Sequence, residues 1–304
     1  MKIVIAGATG FLGRPLTASL VAEGHDVVVL SRSEQARVPQ GARAVAWDLQ
    51  RALAPWASEI DGADAVINLA GEPIAEHRWT AAQKHRIEDS RVLATRRLVT
   101  AIAEASAPPA VLVSGSGVGF YGPCGNDVVT EDTGAGHDFL AGVCRRWEAQ
   151  AVAACSSSTR VVCLRTGLVL ERDGGALPKM LTPFWLGAGG PVGSGRQYWP
   201  WIHRQDWVSL VRFALTTPDA VGPLNATAPH PVTNGEFARE LGRALHRPSF
   251  MPTPGLVLRV LLGEMAGALL LSGQRAVPAK AERLGFTFAY PTLSETLAAL
   301  FPTR

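Results

Sequence analysis

Three glycines near the chain start carry the most specific chemistry in the sequence. Gly7, Gly10 and Gly13 stand in the spacing G-x-x-G-x-x-G directly after the apolar run Lys2 to Ala6. Such a turn lets backbone approach an anion closely. A helix starting behind it aims unpaired N–H groups and the positive end of its dipole at a pyrophosphate. Leu12 to Ala22 has apolar residues at helical spacing, Gly24 ends it, and a second apolar run follows from Val27 to Leu30. Strand, glycine turn, helix and strand together turn a glycine triplet into a dinucleotide signal.

The tip of the second strand reads Leu30-Ser31-Arg32, without a carboxylate. An acid there would accept from a ribose 2′-hydroxyl and repel a 2′-phosphate. Arg32, with Ser31 as a small donor, suits a 2′-phosphate through charge-assisted bonds. The expected cofactor is therefore NADP(H) over NAD(H); the plain alternative makes Arg32 a solvated loop cation. After a third expected strand, Ala42 to Trp47, Asp48 either accepts from an adenine amino group, with Leu49 over the ring, or serves as a cap or turn residue. A fourth strand, Ala65 to Leu69, runs into Ala70 and Gly71, small residues at a carboxyl edge where a dinucleotide can lie against backbone.

Hydroxyls come next. A fifth expected strand, Ala110 to Ser114, leads into Ser114-Gly115-Ser116-Gly117 and on to Tyr121. Ser116 shares an edge with the cofactor strands, so it is read as the group that hydrogen-bonds a reacting carbonyl or alcohol, with Ser114 beside the cofactor. Ordinary Gly/Ser turn chemistry is the alternative. Tyr121 is either a general acid near the cleft or a packed tyrosine with a bonded hydroxyl. Lys179 and His203 are further candidates for the acid. A sixth strand, Arg160 to Arg165, precedes Thr166 and Gly167, and Arg165, Thr166 and Gly167 are assigned to the cofactor edge. Glu72 and four residues of a Gly-rich aromatic stretch, Arg196, Tyr198, Trp201 and His203, are assigned to the substrate; core tryptophans in a loop are the alternative. His77 and His85 fit no metal-ligand spacing, and no metal is expected.

These residues need a scaffold. The 304-residue chain is 47% apolar and carries a net charge of +3, which suits a filled α/β core and gives no general nucleic-acid footprint. The alternation of strands with helices at Trp79–Ala105 (capped by Thr80) and His137–Ala154 predicts a doubly wound parallel sheet. Asp206 is expected to cap a helix over Trp207–Leu215. A returning strand over Val221–Ala226 and a helix over Asn234–Leu245 follow. The expected division is 1–170, with roughly 205–228 returning to the sheet, against a smaller lobe of 171–204 and 229–304. Gly255 to Leu271 is the most apolar later stretch, but Arg259 and Glu264 interrupt it, so it reads as a buried helix pair and not a membrane span. Four cysteines without a C-x-x-C pair suit a reducing cytosol, and the short apolar start does not read as a signal peptide. A cytoplasmic protein with a small-molecule substrate is expected, with no nucleic-acid or membrane partner. Whether it is a monomer or a homodimer stays open.

The phrases GATGFLGRPL, NLAGEPIAEHRW, SGSGVGFYG, CRRWE, LRTGLVL, GGPVGSGRQYWPWIH and GQRAVPAK resemble the extended short-chain dehydrogenase/reductases of the nucleotide-sugar epimerase superfamily. Within it they resemble the "epimerase family" subgroup, which has its own small C-terminal domain. The resemblance implies a Rossmann domain for NADP(H) and a smaller lobe closing over a substrate. It places Gly7, Thr9, Gly10, Phe11, Leu12 and Gly13 at the phosphates, Ser31 and Arg32 at the 2′-phosphate, and Asp48 and Leu49 at adenine. Leu69, Ala70 and Gly71 fall along the ribose–pyrophosphate edge, and Ser116 at the catalytic serine. The superfamily's working pair, Y-x-x-x-K, is missing: Phe139 and Val143 stand roughly in its place, and none of Tyr121, Tyr198 and Tyr290 has Lys four residues on. General acid–base catalysis is worth about 10²–10⁴-fold, so the usual mechanism cannot run unchanged. Two functions follow. One is an NADPH-dependent oxidoreductase or epimerase on a small carbonyl or sugar-like compound, which the 187–206 stretch favours slightly. The other is a catalytically silent NADPH-binding regulator.

Overall fold

The computed structural model describes residues 1–49 and 55–302. Seven parallel strands form one sheet: β1 (Lys2–Ala6), β2 (Asp26–Ser31), β3 (Ala42–Ala46), β4 (Ala65–Asn68), β5 (Val111–Gly117), β6 (Arg160–Thr166) and β7 (Gly222–Ala226). Their order is β7-β6-β5-β4-β1-β2-β3. Alternate side chains serve opposite faces. Ile3, Ile5, Val27, Val29 and Ile67 pack with Leu16 and Leu20 of α1 (Gly13–Ala22) and with Trp207, Leu210 and Val211 of a later helix, Arg204–Thr216. Val4, Val28, Val66 and Leu112 pack on Ala94, Leu98 and Ile102 of α2 (Ala81–Glu104) and Ala151 of α3 (Phe139–Val152). A sheet covered on both faces needs continuously apolar strands, which is why these segments read as unbroken runs. The winding reverses between β1 and β4, so the carboxyl ends of those two strands flank the crevice where open α/β sheets take ligands.

The later helices are α4 (Leu177–Trp185), the helix already met, α5 (Arg204–Thr216), then α6 (Asn234–Leu245), α7 (Gly255–Leu262), α8 (Glu264–Leu269), α9 (Ala279–Arg283) and α10 (Leu293–Leu300). Of these, α5 and, through Ala281, α9 pack with the sheet, and the others make the smaller lobe. Short strands fasten it: Leu168–Leu170 with Trp201–His203, and Tyr198–Trp199 with Val232–Thr233. Its core joins Phe184, Trp199, Trp201, Phe237, Leu241 and Leu297. Trp201 is fully buried there, which corrects its assignment to the substrate: its indole is core filling.

Thr80 caps α2, its side chain accepting from Gln83 N at 3.2 Å. Asp206 does not cap α5. His203 does, with Nδ1 accepting from Gln205 N at 3.1 Å. The buried Asp206 carboxylate accepts instead from Ala289 N (2.8 Å) and Tyr290 N (2.9 Å), tying the C-terminal segment to α5. The Gly255–Leu271 expectation also needs correcting. α8 buries Met265 and Ala266, but α7 buries no residue at all. Apolar composition states a demand for cover, and among the described residues α8 and Arg78, neighbours of α7, leave most of its apolar side chains exposed. Among the described residues no helix is long and apolar enough to cross a membrane.

Candidate dinucleotide site

The glycine turn links β1 to α1. Gly7 adopts φ +81°, and a Cβ there would lie 2.6 Å from the Leu69 carbonyl carbon. A side chain at Gly13 would overlap Ala8 and the Gly7 carbonyl. Both glycines are demanded by the chain's own packing. Gly10 differs: a Cβ there would meet only the Gly7 oxygen, at 3.4 Å, and otherwise open space. Its missing side chain clears room in front of α1. That helix starts with no side-chain cap and no acid in its first turn. Arg14 N already donates to Gly10 O at 3.1 Å and Pro15 has no N–H, so the donors left for an anion are those ahead of Arg14. Thr9 is exposed, and its carbonyl accepts from Arg14 Nε at 2.9 Å. Leu12 is the backbone cap of α1. The Phe11 ring packs beneath the Gly174–Gly175 loop, where a Cβ would sit 2.6 and 2.9 Å from it.

At the end of β2, Ser31 is half-buried, and its hydroxyl accepts from Ser33 N at 3.5 Å. Arg32 is exposed and has no ion pair among the described residues. Beyond the adjacent β3, Asp48 is exposed, and Leu49 packs against the α2 side of the sheet. At β4, Leu69 N donates to Ala6 O (2.8 Å), and Ala70 N donates to Asn68 Oδ1 (3.2 Å). The structure thus brings the turn, the β2–β3 tips and the β4 edge to one end of the sheet.

Arg91 is a residue that sequence reasoning missed. Among the cations of α2, Arg91 points inward beneath Gly71, where a Cβ would lie 2.9 Å from its Cζ. Its Nη1 donates to the carbonyls of Glu72 (3.0 Å) and Ile87 (2.9 Å), and its guanidinium sits 5.1 Å from the Trp147 ring centroid. No carboxylate pairs with it among the described residues, and burial pulls its pKa below the usual arginine value. A half-buried cation that forms no ion pair among the described residues, beside the β4 edge at Gly71, has charge to offer an anion. The signal was present: Arg91 lies four residues after Ile87, on the apolar stripe.

The residues assigned to catalysis are arranged differently. β5 runs past Ser114 to Gly117, so Ser116 lies within the sheet, paired with Arg165. Its hydroxyl donates to Glu148 Oε1 at 2.6 Å. Arg165 grips both Glu148 oxygens, Nε to Oε1 and Nη2 to Oε2, each at 2.9 Å. Arg165 Nη1 donates to the Tyr121 hydroxyl (3.0 Å), which donates on to Asn225 Oδ1 (2.7 Å). The Phe120 ring stacks on the guanidinium at 3.5 Å. Tyr121 and Arg165 are each 3% exposed. Tyr121 is therefore the packed tyrosine and not the cleft acid: burial pushes its pKa up to about 12, against the pull of Arg165 and Asn225. Arg165 is corrected likewise, since Glu148 and Tyr121 occupy the guanidinium. Ser114 is buried and bonds the Gly115 carbonyl at 3.4 Å. Thr166 accepts from Trp207 Nε1 at 3.1 Å, and Gly167 permits the crossing of Pro200, whose oxygen would lie 2.6 Å from a Cβ.

The proposed substrate residues do not converge. Arg196 is exposed. Tyr198 is half-buried with Arg275 5.2 Å from its ring centroid. Glu72, also half-buried, is bonded through its backbone to Ser90 and Arg91. His203 stacks on Tyr290 at 4.0 Å, and burial lowers its pKa, leaving a neutral capping imidazole. Phe139 packs edge-on against Trp79 at 5.1 Å, and Lys84 Nζ, paired with Glu264, lies 5.0 Å from its ring centroid. Val143 is buried. Among the described residues no group of three His, Cys, Asp or Glu could hold a metal ion.

The profile of the NAD dependent epimerase/dehydratase family matches residues 3–226. The chain belongs to that family. A domain of unknown function, DUF1731, matches residues 253–300. The Arabidopsis thaliana chloroplastic homolog of epimerase family protein SDR39U1 is 42% identical, over 99% of this chain and 86% of its own length. The human epimerase family protein SDR39U1 is 39% identical, with 98% of each covered. The crystal structure of human SDR39U1 (isoform 2) with NADPH superposes at a TM-score of 0.88, with 36% identity and 99% of each chain covered. A nucleoside-diphosphate sugar epimerase from Corynebacterium glutamicum gives 0.79 at 34% identity, covering 99% of this chain and 58% of that one.

Proposed function

We propose that this family member binds NADP(H) and works by holding the dinucleotide, not by the proton-coupled carbonyl chemistry of a Tyr–Lys pair. The observation that carries this reading is the closure of Ser116 onto Glu148 at 2.6 Å, within a network that also consumes Tyr121 and Arg165. The N-terminus of α1 and the space at Gly10 would take the pyrophosphate. Ser31 and Arg32 would take the 2′-phosphate, and Asp48 and Leu49 the adenine. Leu69, Ala70, Gly71 and Arg91 would line the ribose–pyrophosphate edge. The fit is electrostatic as well as steric, because the first turn of α1 holds no acid and the Arg91 guanidinium donates only to carbonyls and forms no ion pair among the described residues. Bound there, the nicotinamide would supply a hydride donor or acceptor. The human relative crystallised with NADPH supports the cofactor choice.

One observation favours a second reading, an NADPH-dependent reductase that draws its proton from a different group: Lys84 Nζ lies 5.0 Å from the ring of Phe139, the residue standing where the tyrosine belongs. One experiment separates the two. Purified protein is titrated with NADPH and NADH, then held with saturating NADPH and a panel of small carbonyls and sugar nucleotides while nicotinamide absorbance is followed. The binding reading expects NADPH at least tenfold tighter (about 1.4 kcal/mol) and no more than one equivalent oxidised. Repeated turnover that Lys84→Met abolishes would establish the reductase instead.

A further inference from the structure

α7, Gly-Leu-Val-Leu-Arg-Val-Leu-Leu, is a helix of about two turns with no buried residue. Leu256, Val257, Val260 and Leu261 are all exposed, and so are Phe250, Met251, Trp185 and Leu186. Backbone bonds bring these segments side by side. Met251 N donates to Gly189 O (3.0 Å), Thr253 N to Pro191 O (2.9 Å) and Gly193 N to Thr253 O (2.9 Å). Arg247 rests 5.6 Å from the Trp185 ring centroid. Among the same elements lies an apolar pocket of about 90 Å³, lined by Met180, Pro183, Phe184, Trp199, Phe237 and Thr253. The buried Trp199 Nε1 beside it has no hydrogen-bond partner. Scattered apolar side chains need no explanation, but eight gathered on adjoining segments do.

The charge on these segments is lopsided. Residues 176–199 and 234–264 hold six cations, Lys179, Arg196, Arg239, Arg243, Arg247 and Arg259, against three acids, Glu236, Glu240 and Glu264. All three acids are engaged: Glu236 in the capping box at Thr233, Glu240 with Arg243 at 2.6 Å, and Glu264 with Lys84. A second copy docking face to face would set like charges together. A surface that is apolar beneath and anionic above answers both features, and Trp and Arg at the rim of an apolar helix suit a membrane interface. We propose that this face docks peripherally on a bilayer bearing anionic headgroups. α7 lies in the interface plane, and Arg247 and Arg259 contact the headgroups. This assignment is independent of the dinucleotide reading and replaces the expectation of no membrane partner.

The test is co-sedimentation of the full chain with vesicles of phosphatidylcholine containing about a third phosphatidylglycerol, beside phosphatidylcholine alone. Binding to the anionic vesicles is expected, weakening several-fold as salt rises. The exposed double variants Leu256→Asp/Val260→Asp and Arg247→Glu/Arg259→Glu should each lower partitioning about tenfold, at unchanged melting temperature and NADPH affinity. Failure to bind anionic vesicles overturns the proposal. So does equal binding to phosphatidylcholine alone, and so does a concentration-dependent dimer that Leu256→Asp/Val260→Asp dissolves.

Discussion

Two loops leave the same edge of the sheet and have been put to opposite uses. The turn after β1 is open: α1 has no cap, its first turn has no acid, and Gly10 faces free space. The end of β5 and the turn behind it are shut: Ser116 and Tyr121 are bonded with Glu148, Arg165 and Asn225 of neighbouring elements in a buried network. A site that awaits a ligand leaves polar groups unspent, whereas one that braces the fold uses them up. By that criterion the glycine-turn end of the sheet is open to a ligand, and the serine end of β5 is turned inward.

The comparison breaks most visibly at Arg165. Arg165→Met would strand the Glu148 carboxylate in the interior, and removing one partner of a buried pair costs about 3–5 kcal/mol. Urea denaturation should show that loss. A variant as stable as the parent but unable to bind NADPH would move Arg165 back to the cofactor and undo the contrast. Next comes Gly10→Val against Gly13→Val. At Gly13 the side chain collides with Ala8 and the fold itself should suffer. At Gly10 the fold should stand while NADPH affinity falls at least tenfold, about 1.4 kcal/mol or more. A Gly10→Val protein that binds NADPH normally would mean that the open space is not a phosphate site.

The third test sharpens the open side. Arg32→Ala should weaken NADPH by roughly tenfold, the lower part of the 1.5–3 kcal/mol range for a hydrogen bond to a charged group, and leave NADH unchanged. Calorimetric titration with both nucleotides reads it directly. Equal loss for both would make Arg32 a general anion contact and not a 2′-phosphate reader.

How much of this was legible depended on range in the sequence. The sheet and the turn are local patterns: apolar runs, a glycine spacing, a helix stop at Gly24. The inward network is not local, for Tyr121 meets Asn225 across 104 residues. Ser116 and Tyr121 were read as reactive because serine and tyrosine are reactive types at a promising edge; their partners were out of view. Two clues did exist. Glu148 follows Trp147 on the buried face of α3, and Arg165 follows the apolar run Val161 to Leu164 near the end of β6. A buried acid and a buried base in neighbouring elements imply each other, because neither is tolerated alone. α7 failed for another reason: hydropathy shows what would benefit from cover, and only the assembled fold shows whether cover exists.

The smallest effect belongs to Tyr121 and probes how completely the loop is shut. Tyr121→Phe removes one hydroxyl between Asn225 and Arg165 and should cost about 1 kcal/mol near neutrality. Its sharper signature lies in alkali. The phenol is raised from 10.0 to about 12 in the fold, so between those values the unfolded chain has shed a proton that the native chain keeps. Stability then falls with rising pH. The buried thiols of Cys144, raised to about 11, and Cys163, raised to about 12, begin the same decline from their ordinary value of 9.0. Denaturation midpoints of the parent should therefore drop progressively from about pH 9 upward. In Tyr121→Phe the thiol part of that drop should remain and the part between pH 10 and 12 should shrink. If instead the difference spectrum between the two proteins shows Tyr121 ionising near its ordinary value while still folded, water reaches the hydroxyl. The serine loop would then be as open as the glycine turn.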